Sequence, residues 1–314
     1  MKRILALILI LAFLIVLVSC DNGQQLPDTN TDAVTQDTAK SDNTTEESTT
    51  EAITEAQIEL DPSVDSLLAK ITQKMAAADN YVIFSVGDSV TEGHGASSPD
   101  FTFTAQFAKM LGEQFSDKTI LRIDGEKNSD KTAIIYPETS ITVQNGTNGK
   151  ITVVRCGIGG DTIKKITDRS TDFIGKEIDG QTGNLFIISS GINDAGMNNP
   201  QTYAPPAKYA QNINALLDKI YATHPDADII LMTPTYFGDG TTLDKYSDAM
   251  KKVAADRNVA IIDQHQLWMD HKVEGAEHYG QGDWLTNDDC HPSDIGCEAM
   301  AKEMIRALFG NTAK

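Results

Sequence analysis

The chain from residue 81 onward contains five short apolar runs that are rich in Ile and Val. They lie at residues 81–86, 151–155, 185–188, 228–232 and 259–262. The segments between them have helical periodicity, most clearly at residues 101–115, 207–221 and 243–255. Continuous apolar strands are typical of parallel sheets, because crossover helices cover both faces. The pattern predicts a three-layer α/β domain with a five-stranded parallel sheet, closed by a C-terminal helix over about residues 293–309.

One segment, residues 124–150, interrupts this alternation. It offers two β-rich stretches at 132–136 and 140–144, followed by the strong turn signal Asn145-Gly146-Thr147-Asn148-Gly149. We predict an inserted β-hairpin, or small antiparallel flap, at this position.

The N-terminus has the layout of a secretory signal peptide. Lys2 and Arg3 precede an uncharged run over residues 4–18, which is shorter than the ~20 residues that a membrane-spanning helix needs. The sequence Leu17-Val18-Ser19-Cys20 resembles a bacterial lipobox, which implies cleavage before Cys20 and a lipid on its sulfur. We predict a signal peptide at 1–19 and anchoring through Cys20 to the extracellular face of a bacterial membrane. An ordinary signal peptide with an incidental cysteine is the alternative.

Residues 20–60 are dominated by Thr, Asp, Glu, Asn, Gln and Ser, with ten acidic residues against one lysine. Such a composition buries too little apolar surface to offset the entropy of ordering the segment. We predict a disordered acidic tether there, or merely an unstructured leader, and a single folded domain at 61–314.

The net charge limits the possible ligands, and the number of cysteines limits how the fold can be stabilised. The chain carries a formal net charge of −19 at pH 7, which disfavours nucleic acid as a ligand. Cys156, Cys290 and Cys297 are an odd number, so the fold must rest on its core rather than on a complete disulfide framework. The histidines show no metal-ligand spacing, and we expect no metal, no cofactor and a monomer.

Polar clusters fall at the ends of three predicted strands and just before the last helix. Ligands bind where the carboxyl ends of parallel strands meet, so the four clusters are predicted to converge. They are Gly87-Asp88-Ser89, Gly157-Ile158-Gly159-Gly160-Asp161, Gly191-Ile192-Asn193-Asp194 and Asp288-Asp289-Cys290-His291-Pro292.

These clusters contain the parts of a nucleophilic site. Asp288, or alternatively Asp289, can orient the His291 imidazole, whose other nitrogen is then available to activate Ser89. The N–H groups of Ser89, Gly160 and the Asn193 side chain can bind an oxyanion, with Gly157 and Gly159 as alternatives to Gly160. Taken singly, each motif also fits an ordinary turn or helix cap, and Asp88, Asp161 and Asp194 fit loop-bracing roles better than catalysis.

The order of these motifs resembles the SGNH, or GDSL, hydrolase family over about residues 80–309. The resemblance implies a flavodoxin-like sheet, Ser89 as the nucleophile, His291 as the base and Asp288 as its orienter. It also implies oxyanion donors from Ser89, Gly160 and Asn193.

We therefore predict an extracellular serine esterase that deacetylates carbohydrate substrates, with a lysophospholipase or short-chain acyl esterase or thioesterase as the alternative. Trp284 offers either a sugar-stacking face or a core contact, and no long apolar loop indicates an acyl-chain groove. A non-catalytic surface-binding lipoprotein is the rival outside the enzymes. Dinucleotide binding is disfavoured, because Thr162 stands where the third glycine of that motif would fall. The α/β-hydrolase elbow is also absent, since Thr91 occupies its last position.

Overall fold

A computed structural model describes residues 61–197 and 199–312 of the chain. The predicted signal peptide, the predicted lipid attachment at Cys20 and the predicted tether lie outside the described residues. Within the described part, no helix is both long and apolar enough to cross a membrane.

The described residues contain a large sheet and a small one. The strands are β1 (Asn80–Gly87), β2 (Thr119–Asp124), β3 (Glu126–Lys127), β4 (Ile134–Ile135), β5 (Ile141–Gln144), β6 (Lys150–Gly157), β7 (Leu185–Ser189), β8 (Asp228–Met232) and β9 (Ala260–Ile262). Seven of them form one sheet in the order β5-β2-β6-β1-β7-β8-β9, in which only β5 runs antiparallel to its neighbour. The mostly parallel α/β sheet is confirmed, but the predicted number of five strands is wrong.

The two strands that the sequence did not predict in this sheet are β2 and β5. The apolar run of β2 is interrupted by Arg122, which is nevertheless buried because its guanidinium lies 2.7 Å from Asp100 and 3.1 Å from Asp124. Strand β5 matches the second β-rich stretch of the insertion, but it pairs with β2 instead of folding back on the first stretch. The hairpin of the insertion is instead formed by β3 and β4.

Helices cover the sheet in two groups. They are α1 (Ser66–Ala77), α2 (Ser89–Glu92), α3 (Phe103–Gln114), α4 (Ile163–Asp168), α5 (Pro206–Thr223), α6 (Thr241–Arg257), α7 (Gln264–His271) and α8 (Asp294–Phe309). Helix α8 packs against α1 and α3, whereas α5 packs against α4 and α6. The predicted C-terminal helix is present, and its first turn is capped by the Ser293 hydroxyl, which accepts a hydrogen bond from the Gly296 N–H at 3.3 Å.

The central strands β6, β1 and β7 end at the same edge of the sheet. Gly87 of β1 is opposite Gly157 of β6 on one side and Ser189 of β7 on the other. The chain moves from β1 to β2 and β6 on one side, and later to β7, β8 and β9 on the opposite side. Such a reversal beside β1 leaves a crevice at the carboxyl ends of β6, β1 and β7, which is where open α/β sheets bind ligands.

Candidate active site

Ser89 lies at the start of the one-turn helix α2, directly after β1. The Asp88 carboxylate caps this helix by accepting a hydrogen bond from the Val90 N–H at 3.0 Å. At Gly87, a Cβ atom would lie only 2.1 Å from the Thr91 hydroxyl oxygen, so the tight turn from strand to helix requires glycine there. The turn leaves the Ser89 side chain at the carboxyl end of the sheet, with 8% of the residue exposed.

Three of the predicted site residues form a continuous hydrogen-bonded series. The Ser89 Oγ atom lies 2.8 Å from His291 Nε2, and His291 Nδ1 lies 2.6 Å from Asp288 Oδ2. The first pair is separated by 202 residues in the chain. The fold therefore brings together the nucleophile, base and orienter that the sequence predicted.

Asp288 is held in its ionised form by its surroundings. Its Oδ1 atom accepts hydrogen bonds from the backbone N–H groups of Cys290 at 3.0 Å and His291 at 2.9 Å, and from the Thr286 hydroxyl at 2.8 Å. Burial opposes ionisation, but the hydrogen bonds, led by that of the His291 imidazole, outweigh it and lower the pKa of Asp288. The alternative orienter, Asp289, contacts His278 instead of His291.

The three candidate glycines for the oxyanion site differ in their surroundings. A Cβ at Gly157 would lie 2.2 Å from the Glu92 backbone nitrogen, so this glycine permits close packing of β6 against α2. The Gly159 N–H already donates to the Glu92 carboxylate at 2.6 Å. Gly160 has a φ of +83° and no atom within 4 Å of an added Cβ, so its backbone is open to an approaching ligand. These contacts favour Gly160 among the three.

Asn193 is buried in the turn after β7. Its side-chain amide donates a hydrogen bond to the Asp161 carbonyl oxygen at 3.0 Å, which uses one of the two N–H groups that an amide nitrogen carries. The neighbouring Asp194 carboxylate accepts a hydrogen bond from the Ile163 N–H at 3.0 Å. The turn after β7 is thereby tied to the loop after β6, and Asn193 contacts the residue that directly follows Gly160.

Buried carboxyl groups lie beneath the site. Burial raises the pKa of Asp88 to about 7 and that of Asp194 to about 6. A third acid, Asp161, is paired with the buried Arg169 at 2.6 Å. The three aspartates therefore brace loops and caps, as their sequence positions suggested.

Arg169 is a residue that the sequence analysis missed. Its guanidinium donates hydrogen bonds to the carbonyl oxygens of Gly87 at 3.1 Å and Cys156 at 3.2 Å. It therefore links the ends of β1 and β6 under the site. A single arginine in an amphipathic segment carries no local signal of such a role.

Glu92 was also missed. Besides accepting from Gly159, its carboxylate contacts the Lys127 ammonium and lies 3.3 Å from His94 Nε2. Burial favours the neutral acid, but hydrogen bonds from His94, Lys127 and Gly159 together lower the pKa of Glu92 to about 2. The His94 ring lies 5.2 Å from the His291 ring. Glu92 thus connects the helix that carries Ser89 with the loop after β6 and with the inserted hairpin.

The remaining candidates have structural surroundings. The Trp284 ring stacks on His271 at 3.5 Å and meets the Trp268 ring edge-on at 5.3 Å, which favours the core contact over a sugar-stacking face. Cys156, Cys290 and Cys297 are all buried. Among the described residues, no group of three or more His, Cys, Asp or Glu side chains could hold a metal ion.

A serine hydroxyl, an imidazole and a carboxylate in hydrogen-bonded series are the arrangement of serine hydrolases. Residues 141–299 match the GDSL-like lipase/acylhydrolase family. The chain belongs to this family and is a serine-type carboxylic ester hydrolase, which confirms the resemblance seen in the sequence motifs. The matched range contains Gly160, Asn193, Asp288 and His291, and begins after Ser89.

Solved structures share the fold. An acetyl xylan esterase, AlAXEase, is 18% identical with a TM-score of 0.53, and the match covers 72% of this chain and 99% of that one. A catalytic mutant of Axe2, an acetylxylan esterase from Geobacillus stearothermophilus, is 21% identical with a TM-score of 0.50, covering 73% and 94%. A peptidoglycan O-acetylesterase is 16% identical with a TM-score of 0.51, covering 76% and 93%. A search of curated proteins found no match.

Proposed function

We propose that this protein removes acetyl groups from carbohydrates through a triad of Ser89, His291 and Asp288. The observation that carries the proposal is the hydrogen-bonded series from Ser89 Oγ through the His291 ring to the Asp288 carboxylate. A serine hydroxyl is a poor nucleophile at its own pKa, and an imidazole held by a carboxylate activates it.

The reaction proceeds in two halves. His291 Nε2 takes the Ser89 hydroxyl proton as Oγ attacks the ester carbonyl carbon, and the imidazolium then gives this proton to the departing carbohydrate oxygen. The acetyl group is left on Ser89 Oγ. A water molecule next loses a proton to His291 Nε2 and attacks the acyl carbon, after which Ser89 recovers its proton and acetate leaves. Asp288 stabilises the imidazolium throughout, without itself becoming protonated.

Each tetrahedral intermediate carries a negative oxygen. The backbone N–H groups of Ser89 and Gly160 and the amide of Asn193 are the proposed donors to it. Donors fixed in advance at such a position are each worth about 10²–10³-fold in rate when removed singly.

Two observations support an acetylated carbohydrate as the substrate. The fold is shared with acetyl xylan esterases and with a peptidoglycan O-acetylesterase. In addition, the pocket beside Gly159 is lined mostly by charged residues and threonines. Sugar hydroxyls both donate and accept hydrogen bonds, so they match such groups.

We further propose that the protein acts outside the cell, held to a bacterial membrane by a lipid on Cys20. The charged start, the short apolar run and the Leu17-Val18-Ser19-Cys20 sequence support this localisation. One lipid chain binds a membrane only marginally and two give stable anchoring, so a diacylglycerol on Cys20 would suffice.

Replacement of Ser89 by alanine tests the proposed nucleophile. We expect Ser89→Ala to lower the hydrolysis of p-nitrophenyl acetate by at least about 10³-fold and to abolish labelling by a fluorophosphonate probe. Ser97→Ala, a change at an exposed serine that hydrogen-bonds Asp294 instead of His291, serves as the matched control. Hydrolysis by Ser89→Ala at the parent rate would overturn the assignment.

Product analysis tests the substrate class. Acetate release from acetylated xylan and from O-acetylated peptidoglycan should exceed fatty-acid release from lysophospholipid, because charged residues and threonines make up most of the lining of the pocket beside Gly159. Preferential release of fatty acid would replace the carbohydrate proposal with a lysophospholipase.

A further inference from the structure

A pocket of about 570 Å³ lies between the inserted hairpin and the segment that follows β6. One wall is the hairpin turn, with Asp130, Lys131, Thr132 and Ala133. The opposite wall includes Gly159, the neighbour of the proposed oxyanion donor Gly160. We propose that this pocket binds the carbohydrate part of the substrate, next to the ester that Ser89 attacks. The inference rests on the proposed function and adds where the sugar chain lies.

The pocket suits hydroxyl groups. Seven of its eleven lining residues are Asp, Lys or Arg, and two more are Thr. A sugar hydroxyl donates one hydrogen bond and accepts others, so acidic acceptors beside basic donors match it. The exposed side chains of Asp130, Asp168, Lys131 and Lys165 contribute both kinds of group to the same pocket.

Contacts fix the pocket relative to the reacting atoms. On the side of Gly159, the Lys165 ammonium donates to the Gly160 carbonyl oxygen at 3.1 Å. A lining side chain is therefore hydrogen-bonded to the loop after β6, residues 158–162, which we call the oxyanion loop. On the side of the hairpin, Lys127 contacts the Glu92 carboxylate, which also holds the Gly159 N–H. The hairpin is therefore attached to both the helix that carries Ser89 and the oxyanion loop.

The hairpin is also attached to the far wall. The Ile134 N–H donates to the Asp172 carboxylate at 3.0 Å, and the Tyr136 hydroxyl donates to the Asp172 carbonyl oxygen at 2.9 Å. Because the hairpin is hydrogen-bonded to both sides of the pocket, the width of the pocket is fixed. A rigid site loses less conformational entropy when it binds an extended ligand.

Filling the pocket tests the proposal. Ala133→Trp places a large ring in the pocket without touching the triad. We expect kcat/KM for acetylated xylo-oligosaccharide, or for peptidoglycan fragments if the parent prefers them, to fall at least about tenfold, mainly through KM. Hydrolysis of p-nitrophenyl acetate, which has no sugar, should stay within about twofold of the parent. Ala207→Trp, the same change at an exposed position of α5, should alter neither rate.

A second variant and a binding measurement guard against misfolding. Lys131→Ala removes one pocket amine without adding bulk and should also raise KM for the carbohydrate alone. In the Ser89→Ala background, calorimetric titration with the deacetylated oligosaccharide should show binding that Ala133→Trp abolishes.

The outcomes separate this proposal from the proposed function. One outcome is that the parent releases acetate from the carbohydrates and both pocket variants keep its kcat/KM for them. In that case the proposed sugar-binding role of the pocket is wrong and the esterase assignment stands. Equal losses on carbohydrate and p-nitrophenyl acetate also contradict the subsite. If the parent hydrolyses p-nitrophenyl acetate but no acetylated carbohydrate, the proposed substrate class fails and the subsite fails with it.

Discussion

At the scale of single residues, the Asp288 side chain organises the site. One of its oxygens accepts three hydrogen bonds from its own turn, and the other faces the His291 ring. This arrangement favours the proton on Nδ1 and leaves Nε2 facing Ser89 Oγ, as the proposed role of His291 requires. The turn from Thr286 to His291 thereby determines both the charge of the carboxylate and the direction of the imidazole.

This arrangement predicts the pH dependence of the reaction. The pKa of Asp288 is lowered, so the carboxylate stays ionised over the range in which an imidazole titrates. We expect kcat/KM to fall as the pH is lowered from about 8 to about 5, because protonated His291 cannot accept the serine proton. A profile that stays flat across that range, measured with p-nitrophenyl acetate, would contradict the role of His291 as the base.

Asp288→Asn provides the matched comparison. The amide fits the same turn but cannot stabilise the imidazolium and favours the wrong tautomer, so kcat should fall by about 10⁴-fold. Asp289→Asn, whose side chain contacts His278 instead, should retain most of the activity. If the two variants lose equal activity, the choice of Asp288 as the orienter is wrong.

At the scale of elements, the short helix α2 depends on a buried cap. Asp88 caps it from a position where burial, with the nearby charges of Asp194 and Asp161, raises its pKa to about 7 against an ordinary value of 3.8. Between about pH 4 and pH 7, folded Asp88 keeps a proton that the unfolded chain releases. The contribution of Asp88 to the free energy of unfolding therefore decreases as the pH rises through this window.

Asp88→Asn should remove that loss. Its amide oxygen can still accept from the Val90 N–H, but the side chain cannot ionise. We compare the free energy of unfolding of the variant with that of the parent. The difference, variant minus parent, should increase by a few kcal/mol as the pH rises from about 4 to about 7, since one pKa unit corresponds to about 1.4 kcal/mol. Urea unfolding of both proteins across this range measures the difference, and a constant offset would contradict the raised pKa.

At the scale of the whole molecule, the proposed lipid anchor determines where the enzyme meets its substrate. Cys20→Ala should prevent lipid attachment and release the enzyme from the membrane fraction into the medium or the soluble extract of a bacterial host. Labelling with a fatty-acid analogue and partition into detergent measure this directly. Unchanged membrane association of Cys20→Ala would contradict the lipid anchor. Recovery of the parent itself in the medium, without a fatty-acid label, would leave the ordinary signal peptide as the better interpretation.

The class of fold and the identity of the candidate residues follow from local patterns in the sequence. Continuous apolar runs such as 185–188 are typical of strands in a sheet that is covered on both faces, and glycines and polar residues after those runs are local signals. Asp288 and His291 were also predictable as partners, since a turn of three residues brings them together.

Features that depend on contacts between distant segments became visible in the folded structure alone. Strand β2 was not predicted, because a charged residue such as Arg122 is ordinarily exposed. Its burial depends on ion pairs with Asp100 and Asp124. The pairing of β5 with β2, the link from Lys127 through Glu92 to Gly159, and the cross-link by Arg169 have no signal in the neighbouring sequence. Each joins groups whose proximity arises from packing, so a local pattern of residues cannot specify it.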